Sequence, residues 1–124
     1  MGEKIGALAA RFTMVEFPTT SAQGSAEFMQ HLFGFGSTAY GPDYTDVDMG
    51  GGRLLGFQAD QDEAPAGPLV VFQVDDLDAA RRAVVDAGGQ VTVEPFDFPG
   101  GRRFHFREPG GNELAIWTPA LPSE

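Results

Sequence analysis

The same order of elements occurs twice along this chain, and the repeat restricts the possible fold more than any other feature. Arg11–Pro18 is rich in β-forming residues and precedes a helix-forming segment, Ala22–Phe33. Pro68–Val74 likewise precedes a second helix-forming segment, which either Asp75 or Asp76 can cap. Three short extended runs follow each helix. Because a repeat of this kind fixes the architecture, we predict an α+β fold of paired βαβββ modules that form a concave cleft.

Apolar residues at helical spacing predict the buried face of each helix. In the first helix this face consists of Ala22, Ala26, Met29 and Phe33. In the second helix it consists of Leu77, Ala80, Val84 and Ala87. Gly34 and Gly88 follow the two apolar patterns, and glycine readily adopts the left-handed conformation that ends a helix.

The shorter extended runs are separated by turns rich in Gly and Pro, and they predict three further strands in each module. These strands are Ser37–Tyr40, Tyr44–Met49 and Arg53–Ala59 in the first module, and Gln90–Glu94, Arg102–Glu108 and Asn112–Thr118 in the second. The acidic, Pro-containing stretch 60–67 is predicted to link the modules. We therefore predict one domain over residues 1–124, with module one at about residues 8–59 and module two at residues 68–119.

The composition indicates a folded, acidic protein without cysteine chemistry. The 124 residues are 42% hydrophobic and carry a formal net charge of −10. Binding to a phosphate backbone needs the opposite sign, which argues against nucleic acid as a partner, whereas the acidic field favours a cationic small ligand. Because the chain has no cysteine, it can form neither disulfides nor thiolate metal sites.

The sequence predicts no association with a membrane. There is no apolar run of about 18 residues that could form a spanning helix. The apolar run Ile5–Ala10 is too short for the core of a signal peptide. We therefore predict a cytoplasmic protein.

The most specific motif lies in a predicted hairpin near the C-terminus. Glu108–Ile116 resembles the Asp-Pro-x-Gly-Asn-x-x-Glu-Leu motif of the vicinal oxygen chelate superfamily, which includes glyoxalase I, bleomycin-resistance proteins and extradiol dioxygenases. Phe72–Asp78 resembles the entry to the second helix in that superfamily, and Glu27–Phe35 resembles the end of the first helix. The resemblance covers nearly the whole chain. It implies a glyoxalase/bleomycin-resistance-like fold and a homodimer.

The resemblance also implies where a metal would be bound and shows that its usual ligands are missing. Metal-dependent members hold a divalent ion on His, Gln or Glu from the first and last strands of each module. These positions fall on Met14, Leu69 and Ala115, and the repeat partner of Ala115 falls near Leu55. None of these side chains has the oxygen or imidazole nitrogen that a hard cation requires. We therefore expect these four residues to line a ligand site, with no metal cofactor.

Polar residues near these positions could form a shifted site. Because strand side chains alternate between faces, Glu16, Gln73 and Glu113 share the faces of the substituted positions. With His105 from a neighbouring strand, they would suit a divalent metal if they converged; otherwise they are polar groups at the mouth of the cleft. His105 and Glu113 are also the candidate catalytic residues, because histidine titrates near neutral pH and suits acid–base chemistry.

Aromatic residues could form the walls of the cleft. Trp117 shares a strand face with Ala115, and Phe96 and Phe98 lie in Glu94–Gly101, which is predicted to be a loop over the pocket. Such walls suit the stacking of a flat or cationic organic ligand. The alternative is that these rings belong to the core or to a dimer interface.

Three functions remain open from the sequence. The leading prediction is metal-independent binding of a small cationic or aromatic molecule, as the resemblance to bleomycin-resistance proteins implies. The alternative is a glyoxalase-like lyase or a dioxygenase that uses a divalent metal at non-standard positions. The third is an interaction domain whose cleft is vestigial.

Overall fold

A computed structural model of the chain describes residues 8–120, where the strands and helices follow the predicted order. In chain order they are β1 (Arg11–Pro18), α1 (Ala22–Phe33), β2 (Gly36–Ala39), β3 (Tyr44–Asp48), β4 (Leu54–Gln58), β5 (Leu69–Gln73), α2 (Leu77–Asp86), β6 (Gln90–Phe98), β7 (Gly101–Arg107) and β8 (Glu113–Pro119). Residues 5–7 of the apolar run Ile5–Ala10 lie outside the described residues. Neither α1 nor α2, the helices of this described part, has the length and hydropathy needed to cross a membrane.

The described chain divides into two units, each built mainly from one helix and four strands. In the unit Thr13–Val70 the strand order is β2-β3-β4-β1, and β4 and β1 are the parallel pair. In the unit formed by residues 8–12 and 71–120 the order is β5-β8-β7-β6, and β5 and β8 are the parallel pair. The shared topology confirms the predicted paired βαβββ modules. We refer to these units as the first and the second module.

Helix α1 has the predicted bounds, and both of its ends are capped. The Ser21 side chain accepts a hydrogen bond from the backbone N–H of Gly24 at 3.0 Å. At the other end, Gly34 adopts a φ of 76°, and its N–H donates to the Gln30 carbonyl. These local signals account for both bounds of the helix.

The buried face of α1 is narrower than predicted. Ala22 and Ala26 are buried and pack with Phe57 of β4 in the core of the first module. Phe33, predicted to belong to this face, is 58% exposed. It is the last helical residue, and its ring contacts that of Phe35 just beyond the helix at a centroid distance of 5.4 Å.

Helix α2 covers one face of the second module's sheet. Of the two predicted caps, Asp76 is the one used, since its carboxylate accepts a hydrogen bond from the Ala79 N–H at 3.0 Å. The buried residues that form the core beneath this helix are Val74, Leu77, Ala80, Val84, Phe104 and Ile116. Ala87, predicted to share the buried face, is exposed because it is the C-cap residue, one position beyond the last helical residue.

Most of the segment Glu94–Gly101, predicted to be a loop over the pocket, is strand instead. Strand β6 extends through it and leaves only Pro99–Gly100 as the connection to β7. β6 is the outer strand in the sheet order of its module, and its pairing with β7 shifts between Val91 and Val93 and again between Val93 and Phe96. Prolines are tolerated on outer strands and at bulges, where they interrupt no central ladder.

The turn between β7 and β8 is organised by the carboxylate of Glu108. It accepts hydrogen bonds from the backbone N–H groups of Gly110 and Asn112, at 2.5 and 3.0 Å, and a further one from the Asn112 side chain. The bond from Gly110, followed by those from Asn112, holds the pKa of Glu108 below its ordinary value. The charged form of Glu108 therefore stabilises the turn.

Replacing Glu108 with glutamine is expected to destabilise the protein at neutral pH, because a neutral amide is a weaker acceptor than a carboxylate. A carboxyl group with a lowered folded-state pKa contributes stability above its unfolded pKa and loses it as pH falls through the folded pKa. The difference between variant and wild type in urea unfolding should therefore shrink on acidification. Glu63→Gln, at an exposed carboxylate with no hydrogen bond within residues 8–120, is the control. A difference that widens at low pH would contradict this role of Glu108.

Candidate functional site

One face of the second module's sheet packs against α2, and the opposite face carries a group of polar and aromatic side chains. Phe104 and Ile116 belong to the buried core beneath the helix. The alternate residues of β7 and β8 lie on the opposite face, where Arg103 pairs with Trp117, His105 with Ala115, and Arg107 with Glu113. We call this surface of the second module the helix-distal face.

Arg103, His105 and Glu113 form a connected group on the helix-distal face. Nε and Nη2 of Arg103 lie 3.1 and 2.9 Å from Nε2 of His105. Because arginine offers only donors, Nε2 is the acceptor, and the proton of the neutral ring is on Nδ1. Nδ1 lies 3.6 Å from Oε2 of Glu113, which also accepts a hydrogen bond from the Thr92 hydroxyl at 2.7 Å. The group thus connects β6, β7 and β8.

The surroundings of His105 favour its neutral form. Burial lowers the pKa of His105 from its ordinary value, and the positive charge of Arg103 lowers it further, while Glu113 acts in the opposite direction. The side chain is 15% exposed. A general base needs an available lone pair, and the lone pair of Nε2 is occupied by Arg103. In this structure Arg103 donates to Nε2, and acid–base chemistry by His105 stays a prediction.

Aromatic rings flank Arg103 on both neighbouring strands. The register of β6 places Phe96 opposite Arg103, and Trp117 lies opposite it on β8. The guanidinium carbon is 5.8 Å from the centroid of the Phe96 ring, which is within the range of a cation–π contact. The Phe98 ring lies 6.1 Å from that of Trp117. The helix-distal face therefore combines a fixed positive charge with aromatic surface on either side.

In the first module, the sheet face turned away from α1 has a different chemistry. The Tyr44 hydroxyl donates to Oδ1 of Asp46 at 2.6 Å and lies 3.7 Å from Sδ of Met14. The Tyr44 hydroxyl occupies the space above Gly56, where a Cβ on that residue would overlap with the hydroxyl oxygen. Burial raises the pKa of Asp46, and the hydrogen bond from Tyr44 acts in the opposite direction. Glu16, the register partner of Gly56, is 6% exposed. Tyr44 thus fills this part of the face.

Leu55, predicted to line the ligand site, lies on the other side of that sheet. It packs with Phe57 against the core beneath α1. Gly56 takes the place that corresponds to Ala115, because it pairs with β1 as Ala115 pairs with β5. The predicted counterpart of Ala115 in the first module, Leu55, is therefore one residue away from the true counterpart, Gly56. Because side chains alternate between the two faces of a strand, this shift of one residue put the predicted position on the wrong face.

The remaining predicted ligand residues differ in accessibility. Gln73 pairs with Trp117 in register, and both are partly exposed on the helix-distal face. Leu69 and Ala115 are 2% and 0% exposed, so neither is open to solvent in this structure. The accessible part of the helix-distal face is therefore formed by the polar and aromatic residues around Arg103.

These side chains do not fit the divalent metal that the superfamily implies. Met14, Leu69 and Ala115, at the usual ligand positions, have no suitable donor atoms. The two ring nitrogens of His105 face Arg103 and Glu113, and the adjacent guanidinium would repel a cation. Within residues 8–120, the histidine, aspartate and glutamate side chains form no group of three or more that could hold a metal ion.

A surface pocket of about 420 Å³ lies beside the start of α1, within the first module. Phe28, Met29 and Phe57 supply its apolar lining. The other lining residues are Thr19, Thr20, Ser21, Gly24 and Ser25. None of the residues predicted to bind a ligand lines this pocket.

The repeated βαβββ topology defines a paired-module protein, and comparison with known proteins gives its family. Residues 11–116 match the family described as the Glyoxalase/Bleomycin resistance protein/Dioxygenase superfamily. This match covers most of the chain, so the chain belongs to that superfamily. The resemblance seen in the hairpin motif is thereby confirmed.

Similar proteins show how far the likeness extends. The anthracycline biosynthesis protein DnrV of Streptomyces peucetius is 41% identical over 66 residues, which are 52% of this chain but only 24% of DnrV. Methylmalonyl-CoA epimerase from Mycobacterium tuberculosis has a TM-score of 0.73 at 16% identity, covering 89% of this chain and 88% of the epimerase. The Mn(II)-bound glyoxalase from Novosphingobium aromaticivorans has a TM-score of 0.64 at 19% identity, covering 94% of this chain and 43% of the glyoxalase. These two structures share the fold.

Proposed function

We propose that the helix-distal face of the second module binds a planar aromatic molecule that carries carbonyl or phenolic oxygens, without a metal ion. The observation that carries this proposal is the row of Phe96, Arg103 and Trp117 across three strands, with the guanidinium carbon 5.8 Å from the centroid of the Phe96 ring. Aromatic rings favour a flat ligand through stacking. The arginine favours oxygen acceptors, because hydrogen bonds from a charged donor are the stronger ones.

Local charge decides between an oxygen-bearing ligand and a cationic one. The charge of −10 on the whole chain would favour a cation. Among the described residues of the helix-distal face, however, Arg103 and Arg107 provide two positive charges and Glu113 provides one negative charge. Because short-range charges act more strongly than distant, screened ones, we propose a neutral or anionic aromatic ligand.

The similarity to DnrV supports this class of ligand. Anthracyclines are fused-ring aromatic compounds with carbonyl and phenolic oxygens, and DnrV is named for their biosynthesis. Since the similarity spans only 24% of DnrV, it supports the chemical class and not a particular compound. The homodimer implied by the superfamily remains a prediction.

Trp117 allows a direct binding test, because it is the one tryptophan of the chain. We expect 2-(hydroxymethyl)anthraquinone, which is flat and uncharged, to quench Trp117 fluorescence saturably. Proflavine, which is flat and cationic, should bind more weakly. Arg103→Gln should weaken anthraquinone binding by roughly tenfold or more, the effect of losing a charged hydrogen bond. Arg102→Gln is the matched control, because Arg102 pairs with Asp97 at 2.8 Å and is not part of the helix-distal row.

The same titration with a metal chelator tests the alternative of a metal-dependent lyase or dioxygenase. Unchanged affinity after treatment with EDTA is the expected result. Affinity that disappears with EDTA and returns with one divalent metal would overturn metal-independent binding. Absence of saturable quenching by the anthraquinone in wild-type protein would overturn the proposed function itself.

A further inference from the structure

We infer that the side-chain amide of Gln73 binds a second polar edge of the ligand, so that the helix-distal face selects a fused-ring aromatic molecule with oxygen substituents at both ends. This inference rests on the proposed function, in which Arg103 binds one oxygen-bearing edge of a flat ligand. It adds a specificity-determining residue to that face and narrows the chemical class of the ligand.

Gln73 extends the row across β6, β7 and β8 by one more strand. Trp117 of β8 pairs with Arg103 of β7 on one side and with Gln73 of β5 on the other. Register partners on adjacent strands share a face of the sheet, so Arg103 and Gln73 come from opposite sides of Trp117 on the helix-distal face. Since neighbouring strands lie about 5 Å apart, the backbones of Arg103 and Gln73 are roughly 10 Å apart.

Gln73 is the polar residue of an otherwise apolar strand. Strand β5 consists of Leu-Val-Val-Phe-Gln, in which Leu69 and Val71 are buried and Phe72 packs against the core beneath α2. Apolar strands of this kind are typical of sheets that are covered on both faces. The amide at the end of β5 is no part of that core, so its polarity needs another explanation.

The amide of Gln73 is available to a ligand. It has no hydrogen-bond partner among residues 8–120, although the side chain is only partly exposed. Other polar side chains of this module are paired with one another, as Thr92 is with Glu113. Within the described part of the chain, no buried side-chain nitrogen or oxygen lacks a partner. The unpaired amide atoms of Gln73 are therefore accessible from outside.

The two polar groups select different chemistry at the two ends of the ligand. Arginine offers donors only, so it selects an oxygen acceptor. An amide offers donors and an acceptor, so Gln73 can accept from a hydroxyl group or donate to a carbonyl oxygen. The roughly 10 Å between the two strands is about the length of three linearly fused six-membered rings. We therefore expect the face to prefer a tricyclic or larger molecule with oxygens at both ends over one with a single polar end.

Two uncharged probes that differ only at the second end test this preference. The one-ended probe is 2-(hydroxymethyl)anthraquinone, and the two-ended probe is 2,6-bis(hydroxymethyl)anthraquinone. We expect wild-type protein to bind the two-ended probe about tenfold more tightly, as measured by quenching of Trp117 fluorescence. About twofold of this preference is statistical, because the symmetric probe has two equivalent orientations, and the remaining factor of about five is typical of one neutral hydrogen bond.

Gln73→Leu removes the amide and keeps a side chain of similar size. This variant should reduce the preference for the two-ended probe to the statistical factor of about two, with the loss of one hydrogen bond. Gln30→Leu is the matched control, because Gln30 is exposed on α1 in the first module, outside the helix-distal face. It should keep the wild-type preference.

NMR of the Gln73 side-chain amide adds a readout that a merely structural role would not change. Its Nε2 proton signals, assigned by their absence in Gln73→Leu, should shift when the two-ended probe saturates the protein and shift less with the one-ended probe. Nε2 signals that stay unchanged with the bound two-ended probe would contradict the contact.

The two probes also separate failure of the inference from failure of the proposed function. A wild-type preference no greater than the statistical factor, or one that Gln73→Leu leaves unchanged, would overturn the role of Gln73 while saturable binding of the one-ended probe upholds the proposed function. Absence of quenching by both probes would overturn the proposed function and the role of Gln73 together.

Discussion

Replacing Phe104 with alanine is expected to lower the free energy of unfolding by about 3–5 kcal/mol, the cost typical of deleting a buried phenylalanine ring. Phe104 is 0% exposed and is the largest fully buried side chain in the described part of the protein. It lies in the core between α2 and the sheet, next to Ile116 of β8. Urea unfolding followed by Trp117 fluorescence measures the effect within the same module. Because β7 also carries Arg103 and His105, the variant should bind the anthraquinone more weakly wherever it remains folded.

Phe33→Ala provides the matched control for the loss of a phenylalanine ring. Phe33 was predicted to be buried but is 58% exposed. Its replacement should therefore change stability by at most about 0.5–1 kcal/mol. Equal destabilisation by both variants would contradict the described burial of Phe104 and would support the original prediction for Phe33.

Replacing Gly101 with alanine is expected to destabilise the second module by roughly 3 kcal/mol, because the new Cβ has no space and the backbone is strained. Gly101 is buried at the start of β7 with a φ of 154°. A Cβ there would overlap the carbonyl oxygen of Thr118 and approach the backbone nitrogen of Ala120 to 2.8 Å. These are backbone atoms of the chain beside β7, so relief requires the strands to separate. Urea unfolding and amide hydrogen exchange across β7 and β8 should both show the loss.

Gly36→Ala is the control for the removal of a glycine. A Cβ at Gly36 would have no neighbouring atom within 4 Å, and this residue is not among the described glycines with positive φ. Its replacement should change stability by less than about 0.5 kcal/mol. If Gly101→Ala were as stable as Gly36→Ala, the close pairing of β7 with β8 at this point would be incorrect.

The sequence predicted the elements well where the signals are local. Strand β1 and helix α1 have the predicted bounds, since Pro18, Ser21 and Gly34 each determine a boundary through their own backbone or side-chain chemistry. The length of β6 could not be predicted in this way. Pro95 and Pro99 resemble loop residues, and only the position of β6 at the outer edge of its sheet explains why the strand continues past Pro95.

The candidate site was predicted only in part. Glu113 and Trp117 share a face, as alternation along one strand predicted, and the pairing of β7 with β8 places His105 on that face as well. The contact between Arg103 and Phe96 was missed, because it depends on two register shifts in β6 that no local pattern specifies. The spacing of Arg103 and His105 along β7 indicates that they share a strand face. It does not reveal that the guanidinium donates a hydrogen bond to the imidazole.

The most direct test of the central claim is NMR mapping of 2-(hydroxymethyl)anthraquinone on the isotope-labelled protein. Binding at the helix-distal face predicts that the largest shift changes occur at Phe96, Arg103, His105 and the indole of Trp117. The same titration of Arg103→Gln should require a higher ligand concentration for equal changes. Shift changes confined to Phe28 and the other residues of the pocket beside α1, with none on β7 and β8, would contradict the claim.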